Sequence, residues 1–482
     1  MVLSEDFSSI ILALIFLIFT LILVNFWKNN RNLPPGPIGL PVFGYYPFLT
    51  PKPYLDFADL AKKYGDLFSF RTVGGKLFVV LNGHKTIKSI LVNRADEFIG
   101  RPIESNLLEW ISDGMGITQE EGSPWKEHRR FFLHSAKAFG FGNIEIEETI
   151  QEEVRTVIEA IKETKGESAD FDLHVAYAVN STIALIMFGK KFEKESDLFP
   201  KLSKGVRDLI AIFADHRFML VGPFFQHFAM KYLPWSKEVR AGRRLLKDTV
   251  TSVIDEHVRT FDPNYQRDYV DAYLSQMEKL KDSGELKNST FTIPRLISIS
   301  MNMIMEGTET VTTAIMCLLV EASKHLEEQM LVQKELDAVV GKERLPSWLD
   351  RQNLPYFQAF LQELYRVNLP FSITTHYCNF KETTINGYRI PERSIFVANL
   401  WTINNDPELY PEPKKFNVQR FLDTDGKRIK TEGPYPFSLG KRDCVGQSLG
   451  QMEVFLIVSS ILQRFTLYPG AEYGLIRAIL RD

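Results

Sequence analysis

The sequence predicts a mainly helical protein with minor β-sheet and one N-terminal transmembrane helix. Three observations carry this expectation. Phe7 to Trp27 is a 21-residue stretch with no charged side chain. Beyond it, long segments repeat apolar residues at three- and four-residue spacing, the period of a helix with one buried face. Short β-prone runs beside glycines are the exception and read as strands.

Taken in order, the first stretch holds only Ser8, Ser9, Thr20 and Asn25 as polar side chains. As a helix it measures about 31 Å, enough to cross a bilayer core. It is longer than a usual signal core, Glu5 and Asp6 replace a cationic start, and no small-x-small cleavage site follows. The reading is an uncleaved anchor over 1–30. Lys28 and Arg31 flank its C-terminal end, so the positive-inside rule leaves the body cytosolic and points to the endoplasmic reticulum membrane. Leu33-Pro-Pro-Gly-Pro37 cannot continue a helix and marks a proline-rich hinge, 31–48, before a body over 49–482. Leu67 to Arg71 and Leu77 to Leu81, around Gly74-Gly75, predict a β-hairpin. Ile150, Val154, Val157, Ile158 and Ile161 share one helical face, with Glu145, Glu147 and Glu148 at its start and Lys162, Lys165 and Gly166 at its end. Further helices are expected over 171–189, 236–260, 294–340, 355–368 and 445–464. No linker or internal repeat divides them, so the body reads as one domain.

Composition narrows the function. With 482 residues, 45% apolar and 12% aromatic including 36 Phe, the chain has a large core with room for a buried cofactor. A net charge of -3 and no run of five basic residues argue against nucleic acid as a partner. Cys317, Cys378 and Cys444 lie far apart, which argues against a disulfide framework and a structural zinc site.

The strongest motif is Phe437-Ser-Leu-Gly440-Lys-Arg442-Asp-Cys444-Val-Gly446, placed before an apolar helix. At a helix head a thiolate meets free N–H groups and the positive dipole end, which lower its pKa, and an iron would hold it deprotonated. The glycines would let the backbone pass close to a flat ring. The bland alternative is a buried, inert cysteine. These residues match the haem-binding signature of the cytochrome P-450 superfamily, Phe-x-x-Gly-x-Arg-x-Cys-x-Gly, at every defined position, and the chain resembles that family over nearly its whole length. The resemblance implies the cytochrome P-450 fold and heme b, its iron ligated by Cys444. Thiolate ligation favours cleavage of bound dioxygen. Glu363-Leu-Tyr-Arg366 resembles the family's Glu-x-x-Arg, and Phe416-Asn-Val-Gln-Arg420-Phe421 its later arginine motif, with Val418-Gln419 where Pro-Glu is usual. Together they imply a buried network of Glu363, Arg366 and Arg420, although an i,i+3 pair alone is more often solvated. Trp125-Lys-Glu-His-Arg129 resembles the family's Trp-x-x-x-Arg, which implies that Trp125 and Arg129 face a haem propionate. Arg101, His376 and Arg442 fall where relatives place further propionate partners.

Gly307-Thr308-Glu309-Thr310 resembles the family's Gly-x-Glu-Thr core. By that resemblance Gly307 permits a local opening of the helix, while Glu309 and Thr310 hold water and relay protons to dioxygen. Apolar residues on nearly every side, Ile299, Met301, Met303 and Ile304 among them, predict a buried helix. Glu306 stands where most members carry Ala or Gly, one turn before Thr310 and on its side. In the family's fatty-acid terminal hydroxylases a Glu at this place can form an ester with a haem methyl. Three readings follow for Glu306: that ester, a protonated carboxyl bonded to helix backbone, or a polar handle for substrate.

Leu33 to Pro37, Trp125 to Phe131 and Arg267 to Leu274 are similar to the animal microsomal enzymes that oxidise drugs, steroids and other lipophiles. The resemblance implies a monooxygenase that inserts one oxygen atom into a xenobiotic, steroid or fatty acid. Electrons would come from NADPH through NADPH–cytochrome P-450 reductase, with cytochrome b5 as a second candidate donor, since no dinucleotide glycine fingerprint is present. Lys126, Arg130, Lys137 and Lys441 would offer the reductase a basic patch on the cysteine side. A haem-thiolate sensor without turnover and a peroxide isomerase are the alternatives, and neither needs Glu309-Thr310. Family geometry places the pocket walls near Pro102–Thr118, Leu198–Phe228, Met301–Glu309 and Phe371–Thr375, contributing Phe213, Phe218, Phe224, Phe225 and Phe371. Relatives continue past the Pro469 region into a hairpin that lines the pocket. Gly470 to Asp482 does not resemble it, so the expectation is a different wall or a truncated chain.

Overall fold

The computed structural model describes Leu17, Thr20 and residues 31–481, apart from 103–106, 194–196, 215–217, 219 and 222. The anchor expected over 1–30 therefore lies outside the described residues, those two positions excepted. Helices of ten or more residues are α1 (Pro53–Tyr64), α2 (Gly122–Ser135), α3 (Glu147–Glu163), α4 (Asp172–Phe188), α5 (Leu198–Ala214), α6 (Pro223–Tyr232), α7 (Ser236–Thr260), α8 (Tyr269–Asp282), α9 (Ile293–Ala322), α10 (Leu326–Val339), α11 (Pro355–Val367) and α12 (Gln447–Arg464). The strands are β1 (Leu67–Arg71), β2 (Leu77–Leu81), β3 (Ser168–Ala169), β4 (Tyr377–Cys378), β5 (Thr383–Ile385), β6 (Tyr388–Ile390), β7 (Ile395–Ala398), β8 (Phe465–Pro469) and β9 (Ile476–Leu480).

The expected hairpin forms, pairing Ser69 with Val79 antiparallel. β7 adds to β2 in parallel and β4 closes the edge, giving the order β1-β2-β7-β4. Period-two alternation sends Val79, Leu81, Phe396 and Ala398 into one core cluster and Phe78, Val80, Ile395 and Val397 into another. Both faces are covered, which explains the unbroken apolar run in β2. The proline-rich segment is extended, as expected, but it is pinned to β1. Ser69 donates its N–H to Pro35 O and its hydroxyl to Pro34 O, both at 2.8 Å.

α9 packs along α4 and against α12, and these helices share one large apolar core. Among the described residues α9 alone is long and apolar enough to cross a membrane, but most of that span is buried inside the protein. Thr292 caps α9 by accepting the Arg295 N–H, and Pro294 sits in its first turn. The helix expected over 294–340 is two helices, parted at Ser323 to His325. No Pro or Gly marks that break, because it is held from outside the local sequence: Gln329 Nε2 donates to the terminal carbonyl of Ala322 at 2.8 Å. The C-terminal residues form a hairpin of their own. β8 and β9 form an antiparallel hairpin that packs Leu467, Ile476 and Ala478 into the helical core, with β3 at its edge.

Candidate active site

α2, α9, α12, the cysteine loop and residues 370–377 enclose a cavity of about 340 Å³. Cys444 sits on its wall, two residues before Gly446, the N-cap of α12. Its N–H donates to Phe437 O at 2.9 Å, folding the loop back on itself. Cys444 is open to the cavity, yet protein surrounds it on the other sides, and burial pushes its thiol up to about 11, against the pull of the Gly446 N–H. Desolvation outweighs the helix terminus at this thiol, and an iron would hold it deprotonated. Gly440 is also required for a different reason. Its φ is +85°, and a Cβ there would stand 2.0 Å from the Leu91 carbonyl oxygen, so a neighbouring loop imposes the glycine. Gly446 and Phe437 line the cavity beside the cysteine.

Trp125, Arg129, Arg101, His376 and Arg442 all reach the same cavity. Arg442 lies over the Trp125 ring at 3.8 Å and donates to Ile99 O and Glu120 O. Arg101 donates to Thr118 O and His376 O, and burial lowers the pKa of both guanidiniums. Arg129 pairs with Asp443 at 2.6 Å. Trp125 Nε1 is buried without an acceptor. Three crowded cations and an orphaned donor at one edge, with a thiol facing the same apolar space, fit a flat ligand that carries carboxylates at its rim and a metal at its centre. Haem has that chemistry.

Behind this loop Arg366 Nε and Nη2 hold the Glu363 carboxylate, and Arg420 Nε lies 3.6 Å from it. Asn417 N–H adds a bond at 2.8 Å. Arg366 also reaches Asn404 O and Pro413 O, so one buried charge pair ties α11 to the chain leading to the cysteine. Val418-Gln419 needs no proline here, because Asn417 caps the turn at Gln419 N–H and Val418 is buried.

On α9 the structure brings Glu306, Gly307 and Thr310 to the cavity wall but turns Glu309 away from it. Glu309 faces α4 and α5, 3.9 Å from Arg207 Nε, while Arg207 is paired with Asp172. Burial raises its carboxyl to about 7. The helix does not open at Gly307. Thr310 donates back to Glu306 O at 2.6 Å, and Ile183 of α4 lies at ordinary contact distance from where a Cβ on Gly307 would stand. Glu306 is held by Thr118, the last residue of the expected wall stretch Pro102–Thr118, which donates to its Oε2 at 2.8 Å, a contact that sequence reasoning missed. Burial raises Glu306 to about 7. Of the five expected aromatic wall residues Phe371 lines the cavity, with Ile210 and Leu220 in the α5–α6 region. Phe218 packs on Trp235, Phe225 is exposed, and the side chains of Phe213 and Phe224 lie outside the described residues. Phe141, Ile183 and Tyr365 complete the wall unforeseen, and the C-terminal hairpin gives none of its lining among the described residues. On the surface Lys126, Arg130 and Lys137 are exposed, whereas Lys441 is tied to Asp96 at 2.5 Å.

Comparison with known proteins agrees with this geometry. The family model described as Cytochrome P450 matches residues 34–473. Cytochrome P450 2A13 of Homo sapiens is 32% identical over 95% of this chain and 92% of its own length. Cytochrome P450 2C20 of Macaca fascicularis is 32% identical over 97% and 94%, and cytochrome P450 2J2 of Homo sapiens 33% identical over 93% and 89%. A match of this extent shows that the chain belongs to the cytochrome P450 family of haem-thiolate monooxygenases.

Proposed function

We propose that this chain is a membrane-anchored monooxygenase of the endoplasmic reticulum that oxidises lipophilic xenobiotics or steroids, with Cys444 as the iron ligand. NADPH–cytochrome P-450 reductase would supply the electrons. The observation that carries the reading is the single cavity on which the Cys444 thiol, the cations Arg101, Arg129 and Arg442, and an aliphatic and aromatic wall converge. When bound, thiolate-ligated haem supplies the chemistry that inserts one atom of dioxygen into an apolar substrate and releases the other as water.

The protein's own groups do the rest. Trp125, Arg129, Arg101, His376 and Arg442 orient the ring by its carboxylates. Glu363, Arg366 and Arg420 fix the loop that presents the cysteine. Thr310 sets a hydroxyl at the cavity wall, and Glu309, buried beside Arg207 on the α4–α5 side of α9, holds the proton that is passed on past Thr310. Ile38, Leu40, Val42 and Phe43 are exposed, as are Phe225, Phe228, Tyr232 and Trp235. Val42 O accepts from Gly74 N–H, and residues 73–75 pack against α6. One apolar patch on that side supports a body that rests on the membrane beside its anchor over 1–30. The test is product formation from lipophilic substrates after reconstitution with reductase in lipid, dependent on NADPH. Haem binding without turnover would leave a sensor instead.

A further inference from the structure

Where α9 faces residues 116–118, the cavity wall carries a carboxyl. Glu306 lies on the wall there, its Oε2 fixed by the Thr118 hydroxyl and its Oε1 buried without a donor. One turn earlier on the same face of α9, Asn302 is fully buried and both of its side-chain polar atoms lack partners. The loop is shaped around that carboxamide: a Cβ on Gly116 would stand 2.3 Å from Asn302 Oδ1, and the glycine's φ is +101°. Arg101, the nearest cation acting on Glu306, gives its Nε and Nη1 to the Thr118 and His376 carbonyls. Glu306 Oε1 is thus a buried acceptor on the cavity wall with no bond made. Buried acceptors are seldom left unmade in a native protein, and those that are point to an occupant. Phe141, Ile183, Ile210, Leu220 and Phe371 give the cavity an apolar body.

The Thr118 contact excludes a carboxyl engaged with its own helix backbone and favours the handle for substrate. We propose that Glu306, steadied by Thr118, selects substrates whose apolar body carries one hydrogen-bond donor, a protonated amine above a hydroxyl. A carboxyl makes a charge-assisted bond to the first and an ordinary one to the second. Thr118 holds Oε2 and leaves Oε1 for the ligand. This inference rests on the cavity being the substrate site of the monooxygenase proposed above.

Equilibrium dialysis of the haem-loaded protein tests it without turnover. The probes are N,N-diisopropylbenzylamine, too hindered at nitrogen to ligate iron, its carbon isostere, and the pair benzyl alcohol and toluene. The amine is expected to bind about tenfold or more tighter than its isostere, and the alcohol a few-fold tighter than toluene. Glu306→Gln should abolish the amine's advantage while leaving the isostere's affinity, and Thr118→Val should reduce it. Equal binding of amine and isostere by the parent protein overturns the proposal, as does an amine advantage that survives Glu306→Gln. If the Gln variant fails to take up haem, an undiminished advantage in Thr118→Val has the same force. Haem that resists acidic organic extraction from the parent but leaves Glu306→Gln also overturns it, because the carboxyl is then esterified. Haem content and the carbon monoxide band of the same samples separate these failures from failure of the monooxygenase reading.

Discussion

Arg366 grips both carboxylate oxygens of Glu363, at 2.6 and 2.7 Å, with the two side chains 2% and 0% exposed. The geometry is bidentate, the surroundings exclude water, and the remaining guanidinium donors go to backbone carbonyls at 404 and 413. An exposed pair three residues apart on a helix contributes little. This one is satisfied on every side.

Removing one partner strands the other charge in the interior. Glu363→Ala or Arg366→Ala should cost about 3–5 kcal/mol and should show as loss of haem-loaded protein on expression. Arg366→Lys should not rescue, since a point charge cannot reproduce the fork. Thermal unfolding of the purified variants checks the size of the loss. A Lys variant as stable as the parent would mean that charge alone suffices.

Cys444→Ala should keep the fold, because the side chain it removes faces the cavity while the backbone bonds to Phe437 and Gln447 stay. The reduced, carbon monoxide-treated variant should lack the red-shifted Soret band of thiolate ligation. Retention of that band would require another ligand.

Much of this was legible in the sequence, and the parts that were not share a cause. The helix over 236–260 and the hairpin strands were readable because their periodicity is local. The break at Ser323 was not, since Gln329 makes it tolerable from the next helix. Gly440 was recognised as special from the motif alone. What leaves no room for a Cβ there is a group far along the chain, the Leu91 carbonyl. The Thr118–Glu306 contact joins positions 188 residues apart, and no pattern in one sequence encodes such a meeting. Glu309 and Thr310 are neighbours in the motif, yet helical rotation sends the first towards α5 and the second to the cavity.

The exposed Lys126 and Arg130 should govern docking of an acidic electron donor, whereas Lys441, neutralised by Asp96, should contribute less. Double charge reversal at the first pair should slow reduction by reductase roughly tenfold at low salt and flatten its salt dependence. Lys441→Glu should have a smaller effect. Stopped-flow reduction across ionic strength distinguishes the two surfaces. Equal effects from both would shift the docking face towards Lys441.

Glu309 makes the protein's stability depend on pH in a direction that can be worked out. Burial raises its carboxyl from an ordinary value of 4.5 to about 7, with Arg207 opposing and Asp172 assisting. Between those values the folded state keeps a proton that the unfolded chain has released, so the unfolded state binds fewer protons and stability falls as pH rises. The contribution is fully present below the ordinary value and is lost as pH passes about 7. Glu306, raised to about 7 as well, adds to the same slope. Glu309→Gln cannot ionise and should remove its share. Its Tm should fall less than the parent's between about pH 5 and pH 8, by on the order of 1–3 °C. Arg207→Gln should steepen the parent's fall, because the cation that favours ionised Glu309 is gone. If Glu309→Gln keeps the full slope, the carboxyl is already ionised in the folded protein, and its passage of protons past Thr310 would have to be replaced by another route.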